Sequence, residues 1–274
     1  MWSRNKANLY IRDALDDFHY DPKALPSPIT QRKIYRNKLM LTHLIGFGGG
    51  VGAAAADDDV TSYAFDGNSD YLTVPTHSDF AFGTSAFTIS LWFRTLSLSG
   101  VRELIDFGAG SGLSPVIYLN GTSIVYHVQA AAKITGTSAY SVNTWHHVLV
   151  ARSGTSTKMF IDGTQIGSTY TSDTDNLVSA GDLHIGRYEA GALYYLDGYV
   201  DEVTLVKGTA LETTNFAPPT SQYTDSTYEL QVHCGEAIAS GTTGSGATFV
   251  DSGNTGHTVT ENGNAIRDAS IYKF

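Results

Sequence analysis

Cysteine is almost missing from this chain of 274 residues: Cys234 stands alone, so no intrachain disulfide and no cysteine-based zinc site can form. That scarcity fits assembly in a reducing compartment. Charge is thin at 16%, and no stretch reaches the ~18–20 unbroken apolar residues of a membrane span. What is there is 42% hydrophobic, with 28 glycines and much Ser and Thr, which is too apolar for a disordered chain. The mix suits many short strands joined by tight turns, a mainly β fold, better than helices.

The net charge of −10 is unevenly spread. Residues 1–45 carry eight Lys/Arg against four Asp/Glu, and the remainder carries nine against 23. A basic arm on an acidic body is expected to meet an acidic surface. The basic residues are scattered, which favours the chain's own body or a neighbouring copy as that surface. The acidic body excludes a nucleic-acid platform, because it repels phosphate.

Three zones follow from composition. In residues 1–45, Ile11, Ala14, Leu15 and Phe18 recur at helical spacing. Ser27 and Pro28 then suit the cap and first position of a second helix, reaching Ile45. Its apolar set, Ile34, Tyr35, Leu41, Leu44 and Ile45, needs a covering surface, so this zone is expected to be a helical anchoring arm. Residues 34–56 imitate a signal peptide but lie well inside the chain, and no cleaved leader is expected. Residues 46–59, GFGGGVGAAAADDD, read as a linker; no preceding strand or following Lys-Ser/Thr makes them a phosphate loop.

Residues 60–274 have the alternation of half-buried strands. Phe87, Ile89, Leu91 and Phe93 form one apolar face, with Thr88, Ser90, Trp92 and Arg94 opposite. Val101–Phe107, Val116–Leu119, Ile124–Gln129, Leu183–Ile185 and Tyr199–Val206 are further strands. Asp162-Gly163 between two short runs predicts a hairpin closed by a type I′ turn. About ten or more strands in all make a sandwich or jelly roll.

The ordered stretches FDGNSDYLTVP (65–75), DFAFGTSAFTISLWFR (79–94), WHHVLVAR (145–152), FIDGTQIG (160–167), LHIGR (183–187), GYVDEVTLVKGTAL (198–211) and NFAPP (215–219) carry a resemblance. Together they resemble the laminin-G-like, concanavalin A-like jelly rolls of tailed-bacteriophage structural proteins. In tandem arrays of such domains a segment like FVDSGNTGHTVTENGNA (249–265) precedes the FDG strand, whereas here it follows the domain. Residues 225–274 are therefore expected to fold back, with 257–262 pairing to the Tyr63–Asp66 strand. Pairing with a neighbouring subunit's sheet edge is the alternative.

Candidate chemistry is sparse. Asp201-Glu202 is the nearest thing to the paired acids of jelly-roll glucanases, but neighbours on a regular strand face opposite ways and cannot flank one sugar bond. No enzymatic activity and no obligatory cofactor are expected. His146-His147 should likewise divide, one packed and one exposed. Calcium, common among relatives of this fold, would draw on the loop oxygens of Asp66, Asp70, Asp173, Asp175 and Asn176. Asp66 and Asp70 equally suit a turn. Sugar binding would fall to Arg187, Tyr188, Tyr194 and Tyr195, where rings and polar groups share one loop. Asn120-Gly121-Thr122 fits a glycosylation acceptor but reads as a turn.

The resemblance implies a virion structural protein, a fibre, decoration or adhesion module. Its arm would hold other virion proteins, and the sandwich would be displayed as a homo-oligomer, a trimer by expectation, for weak host-surface glycan binding. A cellular lectin is the alternative, and a polysaccharide hydrolase a third.

Overall fold

The computed structural model describes residues 62–108, 112–225, 227–233, 238–240, 248–268, 271, 273 and 274. The expected arm, with Ile34, Tyr35, Leu41, Leu44 and Ile45, and the linker lie outside the described residues.

Two antiparallel sheets face each other. The first runs β10 (Thr164–Thr171), β9 (Ser156–Ile161), β8 (His146–Ser153), β3 (Phe87–Thr95), β12 (Asp197–Lys207), β1 (Ser62–Asp66) and β17 (Ile266–Asp268), with β13 (Leu230–Val232) also on β12. The second runs β14 (Ile238–Ser240), β15 (Thr248–Val250), β16 (Thr258–Asn262), β2 (Tyr71–Val74), β11 (Leu183–Ile185), β4 (Val101–Asp106), β5 (Val116–Asn120), β6 (Ser123–Val128) and β7 (Ala131–Gly136). The only helical element among the described residues is one 3-10 turn, Ser78–Phe80. No helix among them is long and apolar enough to cross a membrane.

Alternation builds the core as the sequence implies. Phe87, Ile89, Leu91 and Phe93 are fully buried between the sheets, packed with Ile117, Leu119, Tyr126, Val148 and Val150. The opposite side of β3 is buried too, at Thr88, Ser90 and Trp92. The chain after β12 covers it: the Thr88 hydroxyl donates to the Thr209 carbonyl at 3.1 Å and accepts from the Leu211 amide at 2.9 Å. Phe216 packs there on Leu149, Ala151 and Phe160.

The hairpin turn forms where Asp-Gly predicts it, with φ of +48° at Asp162 and +75° at Gly163. Gly163 is also required by space, because a Cβ there would lie 1.9 Å from the Phe216 carbonyl oxygen.

The C-terminal pairing differs from expectation. Thr258–Asn262 lies against Tyr71–Val74, and the tail strand beside β1 is Ile266–Asp268, paired with Ser62–Ala64, while β12 takes the other edge of β1. The register is set by side chains: the Asn264 amide donates to Asp70 at 2.7 Å and the Asn262 amide group to Thr73 at 2.9 Å. The tail thus contributes to both sheets, β13 and β17 to the first and β14, β15 and β16 to the second, with β17 beside β1 and β16 beside β2.

Candidate functional site

The outer face of the second sheet carries a cleft of about 410 Å³, within the usual range for a small-ligand site. Its floor comes from strand positions that alternate away from the core: Val101 and Glu103 on β4, Val116, Tyr118 and Asn120 on β5, and His127 on β6. Gly112, Ser114 and Ala130 edge it, and Tyr188 and Tyr194 form a wall. The two wall rings sit 5.8 Å apart, tilted by 41°.

The wall is a loop bound closely to the sheet. The Tyr188 amide donates to the Leu193 carbonyl at 3.0 Å, and Tyr194 holds a φ of +58°. The Glu189 amide donates to Asp106 at 2.8 Å, and the Glu103 amide donates to the Tyr194 carbonyl at 2.7 Å. Tyr194 remains 44% exposed, so its ring is presented to solvent at the rim.

The floor is polar and poorly satisfied. Glu103 is 1% exposed, and burial, helped by nearby Asp106, pushes its carboxyl well above the ordinary range. Its Oε1 and the Ser114 hydroxyl have no hydrogen-bond partner among the described residues. Asp106 is pushed up to about 6 by burial, despite accepting the amides of Glu189 and Gly108. Burial also raises the Tyr118 and Tyr188 phenols and, with Lys133, lowers His127. Burial thus favours the uncharged form of each titratable group on the floor, the Glu103 carboxyl, the tyrosine hydroxyls and the His127 imidazole, a set able to donate and accept hydrogen bonds.

Of the four residues expected to hold sugar, Tyr188 and Tyr194 meet at this cleft. Arg187 turns aside, its guanidinium 4.1 Å above the Tyr71 ring and 3.2 Å from His184 Nε2. Tyr195 follows it, 6.2 Å from the same Tyr71 ring. Glu103, Ser114, Tyr118 and His127 escaped sequence reasoning, although a glutamate inside the apolar run Val101–Phe107 was a visible signal.

Four of the five calcium candidates, the aspartates, already have protein partners. Asp66 accepts the amides of Asn68 and Ser69, as a turn residue does, and Asp70 accepts those of Asp66 and Asn264. Asp173 is buried against Arg152 and Thr157, and Asp175 takes Lys133 at 3.5 Å and the Tyr170 hydroxyl. Protein cations and donors thus occupy these oxygens.

Two strand expectations need correction. A bulge between Asp201 and Thr204 places Glu202 at φ +52°, with Val200 and Val203 in the core on either side. Asp201 and Glu202 therefore share the outer face. Both are nevertheless sealed: Glu202 is fully buried, accepting the Tyr223 amide at 3.0 Å and lying 2.8 Å from His233 Nδ1. His146 and His147 do face opposite sides, but both are buried, since the chain after β12 covers the outer one.

The family profile described as the concanavalin A-like lectin/glucanases superfamily matches residues 66–214. No curated protein matches in sequence. Among solved structures, a candidate carbohydrate binding protein from Bacteroides ovatus superposes with a TM-score of 0.57 at 14% identity, over 76% of this chain and 59% of that one. Domains LG4-5 of the mouse laminin α1 chain give 0.41 at 16% identity, over 59% and 47%. The CBM40 domain of a Ruminococcus gnavus sialidase, bound to α2,3-sialyllactose, gives 0.43 at 12%, over 56% and 94%. The chain thus spans less than two thirds of the Bacteroides and laminin chains.

Proposed function

We propose that this chain, which belongs to the concanavalin A-like lectin/glucanases superfamily, binds glycans through the cleft on its second sheet. One observation carries the reading: paired tyrosine rings stand over a polar floor in which Glu103 Oε1 and the Ser114 hydroxyl have no protein partner among the described residues. Tyrosine faces pack on the C–H face of a pyranose, and the accessible floor groups of Tyr118, Asn120 and His127 can hydrogen-bond its hydroxyls. A cleft lined by no Lys or Arg, with a carboxyl on its floor that burial disfavours from ionising, suits a neutral sugar better than an anionic one.

The proposal is for binding without hydrolysis. A glycosidase needs two carboxyl groups flanking the scissile bond. Only Glu103 lines the cleft; Asp106 is fully buried with its oxygens held by two amides, and Asp201-Glu202 is sealed on the other sheet. Release of reducing sugar from a polysaccharide, stopped by Glu103→Gln, would overturn this part.

The ordered motifs from Phe65 to Pro219 favour, as a finer reading, a module of a phage virion held by residues 1–45 and displayed in several copies, so that avidity multiplies weak contacts. Deleting residues 1–45 should abolish incorporation into particles while the sandwich stays folded. Normal incorporation of that truncation would remove the anchoring role. For the glycan reading, a glycan array probed with the full chain should show selective retention of a small set of neutral glycans; none retained would refute it.

A further inference from the structure

Sequence places His77 just after β2 and His257 just before β16, 180 positions apart, and the pairing of those strands brings them together. Their rings lie 4.8 Å apart, edge to face. Asp79 stands between them on the 3-10 turn, its Oδ2 3.1 Å from His77 Nδ1 and 3.1 Å from His257 Nε2. The three ligand atoms all lie within 4.8 Å of one another, the only such group of His, Cys, Asp or Glu among the described residues.

We propose that His77, Asp79 and His257 form a divalent transition-metal site of the zinc type, clamping the segment entering β16 to the turn after β2. Tetrahedral zinc with bonds of ~2.0–2.1 Å sets its ligand atoms about 3.3 Å apart. Two of the three separations are already near that value. The remaining one closes by rotation of the His77 ring, whose side chain is 43% exposed.

The hydrogen bonding favours a cation. The Asp79 amide donates to the single lone pair of His77 Nδ1 at 3.3 Å, a bond that the ring gives up when it turns to a metal. Asp79 Oδ2 meanwhile faces an imidazole nitrogen of each histidine at 3.1 Å, an arrangement that calls for a shared proton or a metal ion. The other ligands are held in place: His257 packs 4.8 Å from the Phe80 ring, and the Thr255 hydroxyl donates to Asp79 Oδ2 at 2.6 Å. Such outer partners orient ligands at metal sites. The fourth position would face solvent on the His77 side. Two imidazoles and one carboxylate suit zinc, cobalt or nickel, and are too few oxygens for calcium or magnesium.

The test uses the full chain, stripped with chelator and titrated with ZnCl2, CoCl2 or CaCl2. One equivalent of zinc should bind, and Tm should rise by roughly 5–10 °C at a hundredfold excess over Kd. Cobalt should give the visible absorption of a tetrahedral site, and calcium should do nothing. His77→Ala, at an exposed position, should leave the metal-free Tm within about 1 °C and abolish the zinc shift and the cobalt spectrum. Asp79→Asn should weaken zinc binding at least tenfold. No zinc-dependent shift in the wild type, or an undiminished shift in His77→Ala, would overturn the site.

Discussion

The carbonyl of Tyr194 accepts the amide of Glu103 at 2.7 Å, so the loop bearing the cleft's tyrosines hangs from the strand bearing its buried carboxyl. Ring and acid are thereby fixed relative to each other before any ligand arrives. Such preorganisation reduces the ordering cost of binding.

Tyr194→Ala should therefore weaken glycan binding roughly tenfold, the typical cost of truncating an aromatic anchor. Tm should stay within ~1 °C, because the ring is 44% exposed and the contact to Glu103 uses the backbone. Calorimetric titration with a glycan identified on the array measures the first, and thermal unfolding the second.

Glu103 should make the fold more stable in acid than in base. Burial raises its folded value well above 4.5, so its contribution is whole below that pH and drains away as pH rises towards the folded value. Asp106, raised from 3.8 to about 6, adds a loss of the same sign across that interval. Glu103→Gln should raise Tm at neutral pH, and its advantage over wild type should widen as pH rises above 4.5, the value of the exposed carboxyl. Binding should survive, because the amide donates as the protonated acid does. Melting curves across pH for both proteins provide the check.

His147 works in the opposite sense. Buried beside Trp92 and Phe216, its imidazole is pushed down to about 4. Its contribution is present above 6.5 and is lost as pH falls through about 4, on the order of 3 kcal/mol. His147→Gln should remove that part of the acid-side loss, as denaturant midpoints at pH 7 and pH 4 would show.

Arg152 is fully buried, donating to the carbonyls of Gly83, Ser85 and Asp175 and pairing with Asp173 at 3.4 Å. Arg152→Met should cost about 3–5 kcal/mol, because it strands Asp173 and several loop carbonyls. Urea unfolding would register this as a lower midpoint at unchanged slope.

Much of the fold is legible in the sequence because burial imposes a period of two, as at Phe87–Phe93, and because turn chemistry is local, as at Asp162-Gly163. The Asp201–Thr204 bulge was not legible, since a single inserted residue reverses which neighbours share a face. The cleft was half legible. Tyr188 and Tyr194 announce themselves as loop aromatics, whereas Glu103, Ser114 and His127 acquire meaning only when three strands lie side by side. The C-terminal register was hidden for a related reason: Thr258–Asn262 and Ile266–Asp268 are both short, and the Asp70 and Thr73 side chains choose between them.

The most direct measurement is a titration of the full chain and of a Tyr188→Ala/Tyr194→Ala double variant with the same array-identified neutral glycan. The wild type should bind with a Kd of about a millimolar or tighter, and the double variant at least a hundredfold more weakly at unchanged Tm. Equal affinities would show that the glycan sits elsewhere and would contradict the assignment of the cleft.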